Sequence, residues 1–219
     1  MGLLQIVKTG VVQGKELSKV FEYTKKNNFA IPSVSVINGE SVNAVLESAI
    51  NSNSAVMIQV SLENAKVFSG KIQKGDASML GTVLVANHLH LVASSYKIPI
   101  ILTTDYISSK ESLLIDELIK VGIEYHKKNG YALYSLVAID LSLETSEDSI
   151  KIAKKYLKKT SKIGMGLEIK IAINYTNTNE LCNFYEELQS ISPNFMISFS
   201  FIDEDIEDKK KLFYELQKK

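Results

Sequence analysis

The stretch Pro99-Ile-Ile-Leu-Thr-Thr-Asp105-Tyr106 constrains the fold more than any other part of the chain. Its branched, apolar run reads as a strand buried on both faces, and such strands belong to parallel sheets covered by helices. A helical pattern from Glu111 to His126 follows it. A parallel strand that ends in a carboxylate and feeds a helix is the unit with which a (β/α) barrel presents chemistry, at the C-terminal ends of its strands.

The same alternation runs through the rest of the chain. Spacing predicts a helix over 14–28 and a first strand over 29–36. A helix over 40–51 and a second strand over 54–61 follow, then a long loop and a helix over 77–95. The third strand covers 98–104, and the fourth is read over 131–141. A helix over 146–163 opens at Thr145, whose hydroxyl suits an N-cap. A fifth strand over 165–173, a helix over 179–189 and a sixth strand over 195–201 complete the series. The tail 203–219 has acids first and lysines last, the order that a helix dipole favours.

This is an α/β pattern, a partial TIM-type barrel of six β/α units with parallel strands and terminal helices. No Pro/Gly-rich linker interrupts it, so 1–219 reads as a single domain. A closed barrel of this type needs eight strands and about 250 residues. Six strands leave two open edges, and an open edge invites pairing with another chain.

Lys+Arg 25 against Asp+Glu 25 gives no net charge, so no overall field draws the protein to nucleic acid or a membrane surface. All the basic residues are lysine, and runs such as Lys154-Lys155 and Lys158-Lys159 fall on helix faces as solvated surface. A phosphate contact would therefore use an ammonium or backbone N–H groups, never a guanidinium. Cys182 is the only cysteine, which excludes an internal disulfide and a thiolate cluster; it reads as a small buried hydrophobe. No run reads as a membrane span and residues 1–30 lack a signal-peptide pattern, so the expected compartment is the cytoplasm. His88 and His90, two apart on a helix, point about 200° from each other and do not share a metal. His126 reads as a charge at a helix C-terminus.

Several collinear segments together resemble the class II (zinc-dependent) fructose-bisphosphate aldolases. They are Gly10-Val-Val-Gln-Gly14, Phe29-Ala-Ile-Pro32, Ser41-Val-Asn-Ala-Val-Leu-Glu47, Asn87-His-Leu-His90 and Pro99 to Asp105. Further along come Ile139-Asp-Leu-Ser142, Ser161-Lys-Ile-Gly-Met165, Leu167-Glu-Ile169 and Ile191-Ser-Pro-Asn-Phe195. The resemblance covers about 4–201. It implies a (β/α)8 barrel, usually dimeric, that cleaves fructose 1,6-bisphosphate reversibly into dihydroxyacetone phosphate and glyceraldehyde 3-phosphate. In the family a zinc held by three histidines polarises the ketone.

Carried over residue by residue, the resemblance puts Asp105 at the proton-transfer position and Ser61 at a substrate-binding serine. Asp140 falls at a position associated with a second metal. Three former ligand positions hold other residues: Tyr106 and Asp205 stand near zinc histidines, and Lys170 replaces a metal-binding glutamate. A phenol is a poor zinc ligand beside imidazole near neutral pH, and an ammonium repels a dication. Glu63 and Asn64 stand where the family has glycines, and the loop after Ile173 is short. The last two strands, with the third histidine and the phosphate loop, have no counterpart.

The expectation is thus an aldolase-like pseudoenzyme with no cofactor where the family has Zn2+, and the sequence leaves sugar-phosphate binding open. Lys170 is expected to neutralise Asp105 or Asp140. The partners expected are a second copy or an intact aldolase subunit, not nucleic acid or membrane. The alternative is an active lyase with a remodelled metal site at Asp105 and Asp140, or one completed in trans.

Overall fold

A computed structural model describes residues 2–70, 77–172 and 178–200, together with Tyr214. The described elements run α1 (Leu3–Ile6), β1 (Gly10–Val11), α2 (Gly14–Asn27), β2 (Ser33–Ser35), α3 (Gly39–Asn51), β3 (Val56–Val60) and α4 (Leu62–Ser69). Then come α5 (Ala77–Tyr96), β4 (Pro99–Thr104), β5 (Ile107–Ser108), α6 (Ser112–Asn129), β6 (Leu136–Asp140), α7 (Ser146–Thr160), β7 (Gly166–Ala172), α8 (Thr178–Gln189) and β8 (Phe195–Ser200). One curled sheet in the order β2-β3-β4-β6-β7-β8 carries them, with β1 beside β4 and β5 beside β6. Every pairing is parallel. The fold is the α/β half-barrel that the alternation predicts.

Strand periodicity divides the core in two. Ile58, Ile100, Leu102, Val137, Ile139, Leu167 and Ile169 face outward into a large cluster with the helices. Met57, Ile101 and Leu136 face the inside of the curl and pack on Leu17 and Val20 of α2 and Leu3 and Val7 at α1. The N-terminal helices therefore fill the lower half of the concave face. Full burial of each such side chain contributes about 1.5–3 kcal/mol. Above this floor the same inward positions turn polar, with Gln59, Thr103, Glu168, Lys170 and Ser198 following along the strands.

Four elements escape the sequence reading. The loop expected after 61 begins with α4, whose Ser61 N-cap accepts a hydrogen bond from the Asn64 N–H at 3.0 Å. This helix is only two turns long, and its apolar stripe of Leu62, Ala65 and Phe68 packs on the core. It packs against α5 so closely that a Cβ on Gly81 would lie 1.7 Å from the Ala65 carbonyl oxygen. The short α1, β1 and β5 carry no periodicity to read.

The fourth strand is shorter than expected, because Tyr131 is exposed and 132–135 are buried without being a strand. Side chains satisfy their backbone instead: Gln13 hydrogen-bonds both the N–H and the carbonyl of Ala132. Between β4 and β6, the Ser135 hydroxyl accepts from Leu102 N–H at 3.0 Å and the Thr104 hydroxyl from Ala138 N–H at 2.9 Å. Two buried hydroxyls thus stand in for ladder carbonyls where the register pairs only Thr103 with Leu136.

The N-cap at Thr145 is present, with Asp148 N–H donating to it at 3.1 Å. His126 lies in the last turn of α6, as expected. Cys182 is half-buried on α8 rather than buried. Contrary to expectation, one helix among the described residues is long and apolar enough to cross a membrane by length and composition, namely α5. Its Val85, Ala86, Leu89 and Ala93 sit in the core against the sheet, which accounts for its apolar character. The helix expected over 203–219 lies outside the described residues, apart from Tyr214, which is helical and exposed.

Candidate active-site rim

The C-terminal ends of the strands carry a connected polar rim. From β3, Gln59 Nε2 donates to Asp105 Oδ1 at 2.8 Å, and the Tyr106 N–H donates to the same oxygen at 2.8 Å. The Asp105 N–H bonds the Val60 carbonyl, so the β4 tip is tied to the β3 tip. Asp105 is thereby oriented by two donors.

Tyr106 turns inward across the curl. Its hydroxyl donates to Glu168 Oε1 at 2.5 Å and lies 2.6 Å from Ser198 Oγ. Ser198 Oγ in turn lies 3.3 Å from the same carboxylate oxygen. Burial, the Glu168 hydrogen bond and the nearby carboxylates push the Tyr106 phenol well above its ordinary range, while Ser198 opposes them. The phenol stays protonated at any physiological pH and acts as a donor.

Lys170 is register-paired with Asp140 across β6 and β7, and its ammonium lies 3.1 Å from Asp140 Oδ2. The other Asp140 oxygen accepts from Ser142 Oγ at 2.6 Å and Ser142 N–H at 2.9 Å. Burial raises the Asp140 carboxyl, but the hydrogen bonds from Ser142 and Lys170 outweigh it and hold the group below the usual range. Lys170 also stands 5.4 Å from the centre of the Tyr106 ring, within cation–π reach. The expected neutralisation falls on Asp140. Asp105 and Asp140 do not share a partner: each has its own donors.

The zinc of the resembled family does not fit these residues. At the Tyr106 position the hydroxyl proton is committed to Glu168, and an ammonium already sits against Asp140. Among the described residues no three His, Cys, Asp or Glu side chains group to hold a metal ion. Ser61 is on the rim with its hydroxyl engaged as the cap of α4. Asp205 lies outside the described residues.

The remaining histidines are elsewhere. His90 Nε2 lies 3.1 Å from the Leu133 carbonyl, and its ring packs with Tyr125 and Tyr131. Burial pulls its pKa down, against hydrogen bonds to Leu133 and Ala132. His88 Nε2 is buried on α5 without a hydrogen bond.

Gln59, Glu168 and Ser198 belong to the rim, and sequence reasoning did not single them out. Period-two alternation was the available signal, since Glu168 shares a strand face with Lys170 and Gln59 with Ser61. Register adds Ser198, which is paired with Lys170.

A curled parallel sheet with its polar residues at the strand ends defines a (β/α)-barrel-type fold, and comparisons with known proteins place it in a family. The family described as fructose-bisphosphate aldolase class-II matches residues 15–191, and the chain belongs to that family. The fructose-bisphosphate aldolase of Campylobacter jejuni strain 81-176 is 39% identical over 218 residues, covering 92% of this chain and 61% of the relative. The class 2 enzyme of Escherichia coli K12 is 37% identical over 220 residues, covering 91% and 61%. The crystal structure of the Campylobacter jejuni aldolase superposes with a TM-score of 0.84 at 39% identity, over 90% of this chain and 60% of that one. The YdjI aldolase of Escherichia coli K12, 17% identical with a TM-score of 0.58 over 79% of this chain and 56% of that one, shows the shared fold alone. The chain thus spans about three-fifths of the length of the curated relatives it matches.

Proposed function

We propose that this chain is a class II aldolase-like pseudoenzyme, without fructose 1,6-bisphosphate cleavage of its own. The observation that carries the reading is the Tyr106–Glu168–Ser198 network beside the Lys170–Asp140 pair. Cleavage in the family runs through a divalent cation that polarises the ketone. Here a protonated phenol bound to Glu168 and an ammonium paired with Asp140 take the corresponding places. Asp105 keeps a defined orientation, but an oriented base without an electrophile above it does not make an enediolate.

The second reading, a lyase active through a remodelled metal site or completed in trans, is favoured by Asp105 alone, which remains at its strand tip held by Gln59. Two partner classes accompany the first reading, a second copy of the chain and an intact aldolase subunit. The cytoplasmic assignment rests on the family's metabolic substrate and the single cysteine.

A coupled fructose 1,6-bisphosphate cleavage assay decides between the readings, run on purified protein with added zinc or cobalt and an EDTA control. No turnover above the chelated control is expected. Chelator-sensitive turnover would replace the pseudoenzyme with the second reading.

A further inference from the structure

The outer faces of α5 and α6 carry patterns that read the same in both directions. The two helices lie side by side: the Tyr125 hydroxyl of α6 donates to Asn87 Oδ1 of α5 at 3.0 Å, and the Tyr125 ring stacks on His90. They bracket β4 in the chain, and β4 and β6 are the central strands of the sheet. Each helix returns the chain between parallel strands, so both run in the same direction.

α5 has no charged residue among its 20 positions. Its inner face is core, but Leu80, Leu84 and Leu91 are exposed at 40%, 40% and 79%. With the half-buried Asn87 they are spaced four, three and four apart, the repeat that keeps one seam along a helix packed on another helix. Laid antiparallel on a second α5 about a point between Val85 and Ala86, this seam sets Leu80 against Leu91 and Leu84 against Asn87. α6 turns Asp116 toward Lys155 and Lys159 of α7 and leaves Glu117, Lys120, Glu124 and Lys127 exposed. Laid antiparallel on a second α6 about Gly122, these charges set Glu117 against Lys127 and Lys120 against Glu124. Both facing pairs are opposite in sign.

The two centres are level. Tyr125 lies three residues beyond Gly122, and it sits between Asn87 and His90, which are centred three residues beyond the α5 midpoint. One twofold axis perpendicular to the helices therefore serves both, as an isologous interface requires.

We infer that this face is a self-association surface, on which a second copy of the chain docks antiparallel with α5 on α5 and α6 on α6. Charge complementarity selects the occupant: α6 meets opposite charges on its own copy, and α5 brings no charge to be buried. A parallel arrangement would set each lysine and glutamate against its own kind. The apolar seam of α5 supplies the dry part of the contact, and the α6 charges fix its register. The inference selects one of the two partner classes above and holds whether or not the chain cleaves a substrate.

The test is sedimentation equilibrium of the full chain at concentrations up to about 1 mM, the weak end of specific affinity. A monomer–dimer equilibrium is expected. Leu91→Glu, at a position exposed in the single chain, should weaken it at least about tenfold, because a carboxylate enters the apolar seam from each copy. Lys120→Glu alone and Glu124→Lys alone should each weaken self-association at least about tenfold by facing like charges. An equimolar mixture of these two variants should restore it, since each then supplies the charge that the other lacks. Circular dichroism checks the folding of every variant, and none of the readouts depends on turnover. A wild type that stays monomeric, a dimer indifferent to Leu91→Glu, or a mixture no tighter than either variant alone would each overturn the surface. So would a chain that is monomeric by itself and associates only with added intact Campylobacter jejuni aldolase.

Discussion

Lys170 and Asp140 face each other across neighbouring strands with Nζ and Oδ2 3.1 Å apart, and both side chains are less than a third exposed. The cation of this rim is thus part of the chain. Lys170→Ala leaves a half-buried carboxylate with only Ser142 to satisfy it, and should lower stability by about 1 kcal/mol. Asp140→Asn in the same background should recover part of that loss. Chemical denaturation of the four variants of the cycle measures the coupling, and unchanged or raised stability in Lys170→Ala would remove the neutralising role.

The pair also sets an acid limit. Asp140 titrates lower when folded than unfolded, so its contribution is complete above the unfolded aspartate pKa of about 3.9. It is lost as pH falls through the lower folded value. The wild type should lose this increment below about pH 4, and Asp140→Asn should not. Thermal unfolding between mildly and strongly acidic pH provides the comparison.

His90 works in a higher window. Its folded pKa lies below the unfolded value because burial disfavours the imidazolium. The unfolded chain therefore binds the extra proton first, and stability falls as pH drops below about 6.5, by at most about 1.4 kcal/mol per pH unit. His90→Gln should flatten the urea midpoint between pH 7 and pH 5.5, and an unchanged slope would place the sensitivity elsewhere.

The hydroxyl-completed ladder between β4 and β6 makes two small substitutions costly. Ser135→Ala strands the buried Leu102 N–H, and Thr104→Val strands that of Ala138. Each should cost about 1–3 kcal/mol, the penalty of a buried donor left unpaired. Equal urea midpoints for wild type and variants would contradict the assignment.

Gly81→Ala should be harsher than any of these. The added Cβ meets the Ala65 carbonyl at 1.7 Å, and backbone cannot rotate away as a side chain does. The helices α4 and α5 must separate, at a cost of about 3 kcal/mol or more. Circular dichroism and soluble yield report it directly.

The sequence carries the architecture where periodicity is strong. The buried run from Pro99 to Thr104 and the helices that alternate with the strands are placed within a few residues. Where side chains replace backbone pairing the pattern misleads: the stretch 132–135 reads as strand because its burial is real, while the Gln13 side chain bonds the Ala132 backbone and the Ser135 hydroxyl takes the Leu102 N–H of β4. At the rim, its place at a strand tip brought Asp105 into view, and the family resemblance added Tyr106, Asp140 and Lys170. Gln59, Glu168 and Ser198 stayed hidden because their importance lies in partners contributed by other strands. The Lys170–Asp140 pair was legible as one of two options, and only register distinguishes Asp140 from Asp105.

The most direct measurement on the central claim is zinc stoichiometry, read by metal analysis of purified wild-type protein after equilibrium dialysis against zinc near neutral pH. A rim whose former ligand positions hold a phenol bound to Glu168 and an ammonium paired with Asp140 predicts no stoichiometric zinc, and none gained by the Lys170→Ala variant while Tyr106 remains bound to Glu168. One zinc per chain in the wild type, lost on substituting Asp105 or Asp140, would contradict the account and make the rim a metal site after all.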